Sequence, residues 1–411
     1  MRNWAGNVAF EPDTVARPTT LEQLAETVAG ADRVRVLGTG HSFSQLTVTE
    51  GTVLLLDALP AAIDVDAGQA TVRVAAATRW GELAPAVHAQ GFAVANMGSL
   101  PHISVAGSAS TGTHGSGSAL GCLASSVVAL DLVTADGTMR SLRLGDGDFP
   151  GSVVALGALG VVTSLELRLV PAFDVEQTVW DVLPFSVAAD RFDEVMGAAY
   201  SVSLFTTWRS DVVEQVWVKR RTTDPEVDLG WTGAVPADEP RHPVPGGDVA
   251  ACTAQGGVAG PWFERMPHFR LEFTPSSGAE LQTEYMLPRE HAAAAMGAVR
   301  RITDVVSPVL QISEIRTVAA DDLWLSPCQG RDTVCLHFTW IDDAAAVAPA
   351  VRAVEDVLAP YAARPHWGKV FTTEPAMVRS RYPRLAELEA LRDRLDPDRC
   401  FANEFVDRDL R

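Results

Sequence analysis

The sequence predicts an α+β chain built as two domains, and three observations predict it. Helical patterns are interleaved with strand runs of two kinds, some strictly alternating and some continuously apolar, as in mixed folds. Asp136-Gly137 joins two alternating runs, the sequence mark of a β-hairpin. The 411 residues, 47% of them hydrophobic, are ample for more than one core, and Pro171 offers an exit from the first part of the chain.

Val34, Arg35, Val36 and Leu37 read as a buried strand entering a glycine turn, Gly38-Thr39-Gly40, with His41, Ser42 and Phe43 at its exit. Residues 52–57 and 70–75 read as further strands, and residues 78–90 place Trp80, Leu83 and Val87 at helical spacing. Residues 161–170 alternate, with Thr163, Leu165, Leu167 and Leu169 opposite Ser164, Glu166 and Arg168. Beyond Pro171, residues 171–365 carry helices and strands of their own. Residues 235–249, rich in Pro and Gly, read as a loop. A charged amphipathic helix over 383–395 stops at Asp396-Pro397.

Composition narrows the function. A net charge of −19 argues against nucleic acid and against an anionic membrane surface. Residues 1–7 contain no apolar signal core, and no apolar run reaches spanning length. Cys122, Cys252, Cys328, Cys335 and Cys400 are scattered and lack metal spacing, so free thiols in a cytoplasmic protein are expected and no metal.

Two glycine-rich segments point to a large phosphate-bearing cofactor. Backbone N–H groups in a turn such as Gly38-Thr39-Gly40 form a nest for anions. It is not a dinucleotide-binding Gly-x-Gly-x-x-Gly fingerprint, because position 43 is Phe, and no Walker lysine follows. Alone, the turn also serves as a plain tight connection. Residues 104–117 add a second loop dense in glycine and hydroxyls, alternatively a flexible surface loop.

Two strands in the middle region carry polar pairs at spacing two. Glu314 and Arg316 share one face of residues 310–318, and His337 and Thr339 share one face of residues 333–340. Such a face can bind a ligand dense in hydroxyls, or simply face water. Lys369 lies among aromatic and apolar neighbours, Pro365-His366-Trp367-Gly368 and Val370-Phe371. Burying an ammonium needs a partner, for which a flavin or a substrate oxygen would serve, unless the head reaches water.

These segments resemble the vanillyl-alcohol-oxidase-type family of FAD flavoproteins, and within it the alditol oxidases. The resemblance spans nearly the whole chain. It is carried by residues 3–7, 38–43, 99–107, 111–115, 274–282, 314–320 and 365–371. It implies an FAD-binding domain of residues 1–170 completed by 366–411, and a substrate domain of 171–365 whose sheet covers the flavin. His41 matches the histidine that carries FAD covalently. Cofactor contacts fall to Gly38, Thr39, Gly40, His41 and Ser42, and to Ser99, Ser104, Gly107, Ser108 and Thr111. They extend to Gly112, Thr113, His114 and Gly115, and to Gly160, Val161 and Asn403. Ser99, Glu314, Arg316, His337, Thr339 and Lys369 match the polyol-binding set. One position departs: Gly98 stands where relatives often carry Ala, at a site that affects oxygen access, and Gly leaves that access open.

The reaction implied is hydride removal from a terminal carbinol carbon to FAD, followed by reduction of oxygen to hydrogen peroxide. His337 is the candidate base, with Arg316 and Lys369 stabilising an alkoxide. An aldonolactone-type oxidase or dehydrogenase of the same family is the alternative. A polyol and oxygen are the expected partners, without nucleic acid or membrane; the oligomeric state stays open, with a monomer favoured.

Overall fold

A computed structural model describes residues 1–410. The first part of the chain forms two larger sheets and a two-stranded pair, Phe92–Ala93 with Val170–Pro171. Thr14–Ala16, Thr52–Leu54 and Val34–Val36 pair in parallel, with Thr52–Leu54 in the centre. A five-stranded antiparallel sheet runs in the order Ile63–Asp66, Thr71–Ala75, Val161–Arg168, Val127–Val133, Met139–Arg143. The Asp136-Gly137 hairpin forms as expected. The Asp136 carboxylate accepts from Thr138 N at 3.0 Å, and Gly137 adopts φ +78°.

Alternation in Val161–Arg168 becomes burial. Val161, Thr163, Leu165 and Leu167 face the core, while their neighbours are half-covered or exposed. The helix expected over 78–90 spans Trp80–His88, and that over 383–395 spans Leu385–Leu395.

The middle of the chain builds a nine-stranded antiparallel sheet. Its central order is Asp174–Pro184, Val212–Arg221, Ser201–Thr206, Leu310–Val318, Thr333–Ile341, Glu280–Pro288. One face packs on Ala292–Arg300 and Ala344–Leu358 through Ile315, Leu336, Phe338, Met296 and Val351. The other face looks toward the first part of the chain.

Residues 235–249 are not wholly irregular: Val235–Pro236 pairs with the edge strand Asp174–Pro184. Pro243 and Val244 reach the central cavity.

The C-terminal segment returns to the first core, where Trp367, Phe371, Leu391, Phe401 and Val406 pack with Leu54, Val105 and Val154. Buried Arg35 fastens the segments together. Its guanidinium donates to the carbonyls of Leu46, Leu156, Gly157 and Phe401 at 2.6–3.1 Å. With no carboxylate against it, burial pushes this guanidinium down to about 10.

Candidate active site

A cavity of about 740 Å³ lies between the first part of the chain and the open face of the large sheet. The glycine turn forms one wall. Gly40 adopts φ +71°, which bends the chain sharply after Val34–Val36. The turn is stitched in place from both ends of the protein: Trp4 N donates to Gly40 O at 2.7 Å, and Phe43 N donates to Gly368 O at 2.7 Å. His41 stacks on Trp4, centroids 5.6 Å apart, and its buried Nδ1 has no partner. Burial, helped by nearby His102, pushes this imidazole down to about 4, so it is neutral at neutral pH. Gly38 comes close to the second loop, and Gly107 makes room for Ser104 within it. A Cβ on Gly38 or Gly107 would lie 2.9 or 2.7 Å from Ser104 Oγ.

The opposite wall is polar. Antiparallel register sets Glu314 beside His337 and His337 beside Glu284, one row across three strands. A second row places Ile312, Thr339 and Gln282 together. His337 Nε2 lies 3.0 Å from Thr339 Oγ1, and Lys369 Nζ lies 2.6 Å from His337 Nδ1. Arg316 Nη1 is 3.4 Å from Ser99 Oγ, and Arg316 Nε is 3.6 Å from Glu314 Oε2.

Glu284, fully buried, is the hub of this wall. It accepts from Arg316 Nη2 and forms an ion pair with Lys369 Nζ at 2.7 Å, with His114 Nε2 at 3.3 Å. The partner of Lys369 is therefore a protein carboxylate, where sequence reasoning expected a flavin or substrate oxygen.

Burial alone would raise the Glu284 carboxyl. Arg316 and then Lys369 overcome that and hold it well below the usual carboxylate range. Glu314 is held low in the same way, by Arg316 and His268 against burial. Burial pulls the Lys369 ammonium down, and Glu284 opposes it. Burial and then Lys369 keep His337 and His366 well below the ordinary imidazole range. Two carboxylates thus face two cations, with neutral imidazoles between them.

Most of the expected site residues line this one cavity. Those from the first part of the chain are Gly38 to Ser42, Ser99, Ser104, Gly107, Ser108, Thr111, Thr113, His114 and Gly160. From the large sheet and the return segment come Glu314, Arg316, His337, Thr339 and Lys369.

Four do not line it. Gly112 and Gly115 are packing glycines: an added Cβ would sit 2.7 Å from Pro327 Cδ and 2.2 Å from Met97 O. Val161 turns into the core, and its neighbour Val162 faces the cavity instead. Asn403 caps Glu404–Leu410, accepting from Val406 N at 2.8 Å and donating to the carbonyls of Gln45, Leu46 and Val48. Sequence reasoning missed Glu284, Gln282 and His268, all of which line the cavity.

Buried neutral histidines make stability acid-sensitive. His268, His337 and His366 are held below the unfolded value of about 6.5. A depressed group contributes stability above its unfolded pKa and loses it as pH falls toward the folded one. The unfolding free energy is therefore expected to drop between about pH 6.5 and 4.5. The slope is up to about 1.4 kcal/mol per pH unit for each histidine. The carboxylates Glu284 and Glu314 add a loss of the same sign only below about pH 4.5. Urea midpoints at pH 7.5 and pH 5 measure this; a rise in stability toward pH 5 contradicts it.

The turn, the close glycine approaches and the unpartnered His41 Nδ1 fit a dinucleotide cofactor spanning the cavity. Similarity to known proteins agrees. Residues 12–143 match the FAD binding domain family, and residues 279–409 match the D-arabinono-1,4-lactone oxidase family. An alditol oxidase from Streptomyces sp. (strain IKD472 / FERM P-14339) is 54% identical over 99% of this chain and 98% of its own length. An L-gulono-1,4-lactone dehydrogenase from Mycobacterium tuberculosis (strain CDC 1551 / Oshkosh) is 30% identical over 99% of this chain and 98% of its own. Cholesterol oxidase from B. sterolicum shares the fold at 14% identity, with a TM-score of 0.79 over 100% of this chain and 96% of that one. The fold is thus of the vanillyl-alcohol-oxidase type, and the chain belongs to the alditol oxidase family of FAD-dependent oxidoreductases.

Proposed function

We propose that this enzyme oxidises the terminal primary hydroxyl of alditols, xylitol and sorbitol among them, to the aldose, with oxygen reduced to hydrogen peroxide. The supporting observation is the polar wall: Glu314, His337 and Thr339 on adjoining strands, bordered by Ser99, Arg316 and Lys369. An open-chain polyol carries a hydroxyl on each carbon and can pair with several of these groups together. The balanced charges suit an uncharged substrate. We divide the chain accordingly into a cofactor half, residues 1–170 with 366–411, and a substrate half, residues 171–365.

Bound FAD supplies the redox chemistry, taking up the hydride equivalent and delivering electrons to oxygen. The chain's own residues orient the substrate and manage its proton. In the structure Lys369 occupies the His337 Nδ1 side and Thr339 the Nε2 side. A substrate hydroxyl replaces Lys369 at Nδ1 and gives its proton to the ring. Lys369 and Arg316 then stabilise the oxygen that lost it. Glu314, Thr339 and Ser99 hold the remaining hydroxyls and keep the terminal carbon in place. Gly98 leaves room beside this site, since even an added Cβ would meet its nearest neighbours at 3.8 Å.

His41 is assigned as the covalent anchor of FAD, on its neutral, unpartnered Nδ1. Denatured protein is expected to stay yellow, with a mass that includes FAD, and His41→Ala is expected to release the flavin on denaturation. Flavin retained by the denatured variant refutes the assignment. Among the described residues no helix is long and apolar enough to cross a membrane. The five free, buried thiols support a cytoplasmic setting.

Peroxide release with oxygen as sole acceptor tests the reading against the lactone alternative. Xylitol is expected to drive it, and L-gulono-1,4-lactone to do so poorly. The reverse order replaces alditol oxidation with the lactone chemistry.

A further inference from the structure

Behind Glu314 stands a buried pair that the proposed reaction does not use. Lys219, on Val212–Arg221, is 1% exposed and, among the described residues, has no carboxylate within ion-pair distance. Its ammonium instead meets three acceptors: Met266 O, Pro267 O at 3.2 Å and His268 Nδ1 at 3.1 Å. The three contacts match the three N–H bonds of an ammonium once His268 Nδ1 carries a lone pair. Burial pulls this lysine down to about 7, and Glu314 pulls the other way.

The ring's two neighbours together decide its tautomer: the Glu314 carboxylate only accepts, so the nitrogen facing it carries the proton and Lys219 donates to the other. A donated N–H at Nδ1 requires a lone pair there, so the ring proton sits on Nε2. That nitrogen is 2.8 Å from Glu314 Oε1. The ring is wedged edge-on against Phe205 and Trp217, at centroid distances of 5.6 and 5.2 Å, which fixes its plane. Its backbone is fixed as well: His268 N and Phe269 N both donate to Ser99 O, at 3.1 and 3.3 Å. One short segment therefore holds the Glu314 carboxylate through a side chain and the Ser99 backbone through main-chain bonds.

We propose that Lys219 and His268 are positioning residues for substrate binding. Lys219 supports the ring tautomer by donating to Nδ1, and the Nε2–H of His268 ties down one oxygen of Glu314. The other oxygen, with Arg316 Nε 3.6 Å away, is left to accept a hydroxyl remote from the reacting carbon. This rests on the polyol reading of the same site. The pair acts on the grip on the substrate chain and not on the proton at the terminal hydroxyl.

The test is a double-mutant cycle on the FAD-loaded enzyme. Lys219→Met and His268→Phe are expected to raise KM for xylitol about tenfold, the scale of one charge-assisted hydrogen bond. The limiting rate of flavin reduction is expected to stay within about threefold. His268→Gln, whose amide can reproduce the Nε2–H donor, is expected to restore KM. In a Glu314→Gln background the first two substitutions are expected to change KM less than about twofold. Equal costs in both backgrounds, a loss confined to kcat, or a His268→Gln as damaged as His268→Phe overturns the proposal.

A second readout needs neither substrate nor a variant that folds poorly. Histidine ¹⁵N spectra of the wild-type protein are expected to show His268 neutral with its proton on Nε2, and a proton on Nδ1 or on both nitrogens overturns the proposal. A wild-type enzyme inert toward xylitol refutes the polyol reading, while the spectra still decide the pair.

Discussion

Lys369→Met and His337→Ala are each expected to slow flavin reduction by xylitol by on the order of a hundredfold or more. The expectation follows from their 2.6 Å contact. His337 is neutral and presents a lone pair at Nδ1, and Lys369 supplies a cation where the deprotonating oxygen will lie. Removing the imidazole removes the acceptor, and removing the ammonium removes the charge that makes the transfer favourable. The double variant is expected to cost little more than the worse single one, because the two groups serve one proton transfer. Stopped-flow reduction under nitrogen measures the step without the oxygen reaction. Near wild-type reduction in both single variants eliminates the pair.

Glu284→Gln is expected to produce the other large effect, on stability and activity together. The carboxylate has no exposed surface and lies between buried Arg316 and half-buried Lys369. Its loss leaves Arg316 and Lys369 in a low-dielectric site with one carboxylate, Glu314, which already faces Lys219 through His268. Breaking a buried ion pair from one side costs about 3–5 kcal/mol. Adding Lys369→Met to Glu284→Gln removes the surplus cation, so the double variant is expected to recover part of the stability. It stays inactive, because the ammonium is gone. Melting temperatures of the single and double variants give the comparison. A Glu284→Gln protein as stable as wild type, with unchanged flavin reduction, contradicts the role given to this residue.

The fold was legible where side-chain period and turn chemistry agree. The alternation of residues 161–168 and the Asp136-Gly137 turn both became the elements expected of them. Glu314–Arg316 and His337–Thr339 were legible because spacing two puts each pair on one face. Glu284 carried the same signal, alternating with Glu280 and Gln282 on Glu280–Pro288. That strand lies between two partners, and only the register reveals the contact with His337. His268 sits in an irregular segment with no period to mark it. Lys219 lies in the run Lys219-Arg220-Arg221, which reads as a strand leaving the core for water. Its burial depends on the residues 266–268 that cover it. Val161 shows the opposite limit: the strand was clear, but which face met the cavity was not.

Anaerobic mixing of the FAD-loaded enzyme with xylitol or with 1-propanol tests the central claim most directly. A monohydric alcohol engages the group at the reacting carbon and leaves Glu314, Thr339 and Ser99 without a substrate partner. Each neutral hydrogen bond forgone costs about 0.5–1.5 kcal/mol, and those to charged groups more. Several such losses compound into orders of magnitude in kcat/KM. Xylitol is expected to bleach the flavin rapidly, and 1-propanol to do so at least a hundredfold less efficiently. Equal efficiency for the two alcohols contradicts the assignment of this polar wall to a polyol, even for an enzyme that oxidises both.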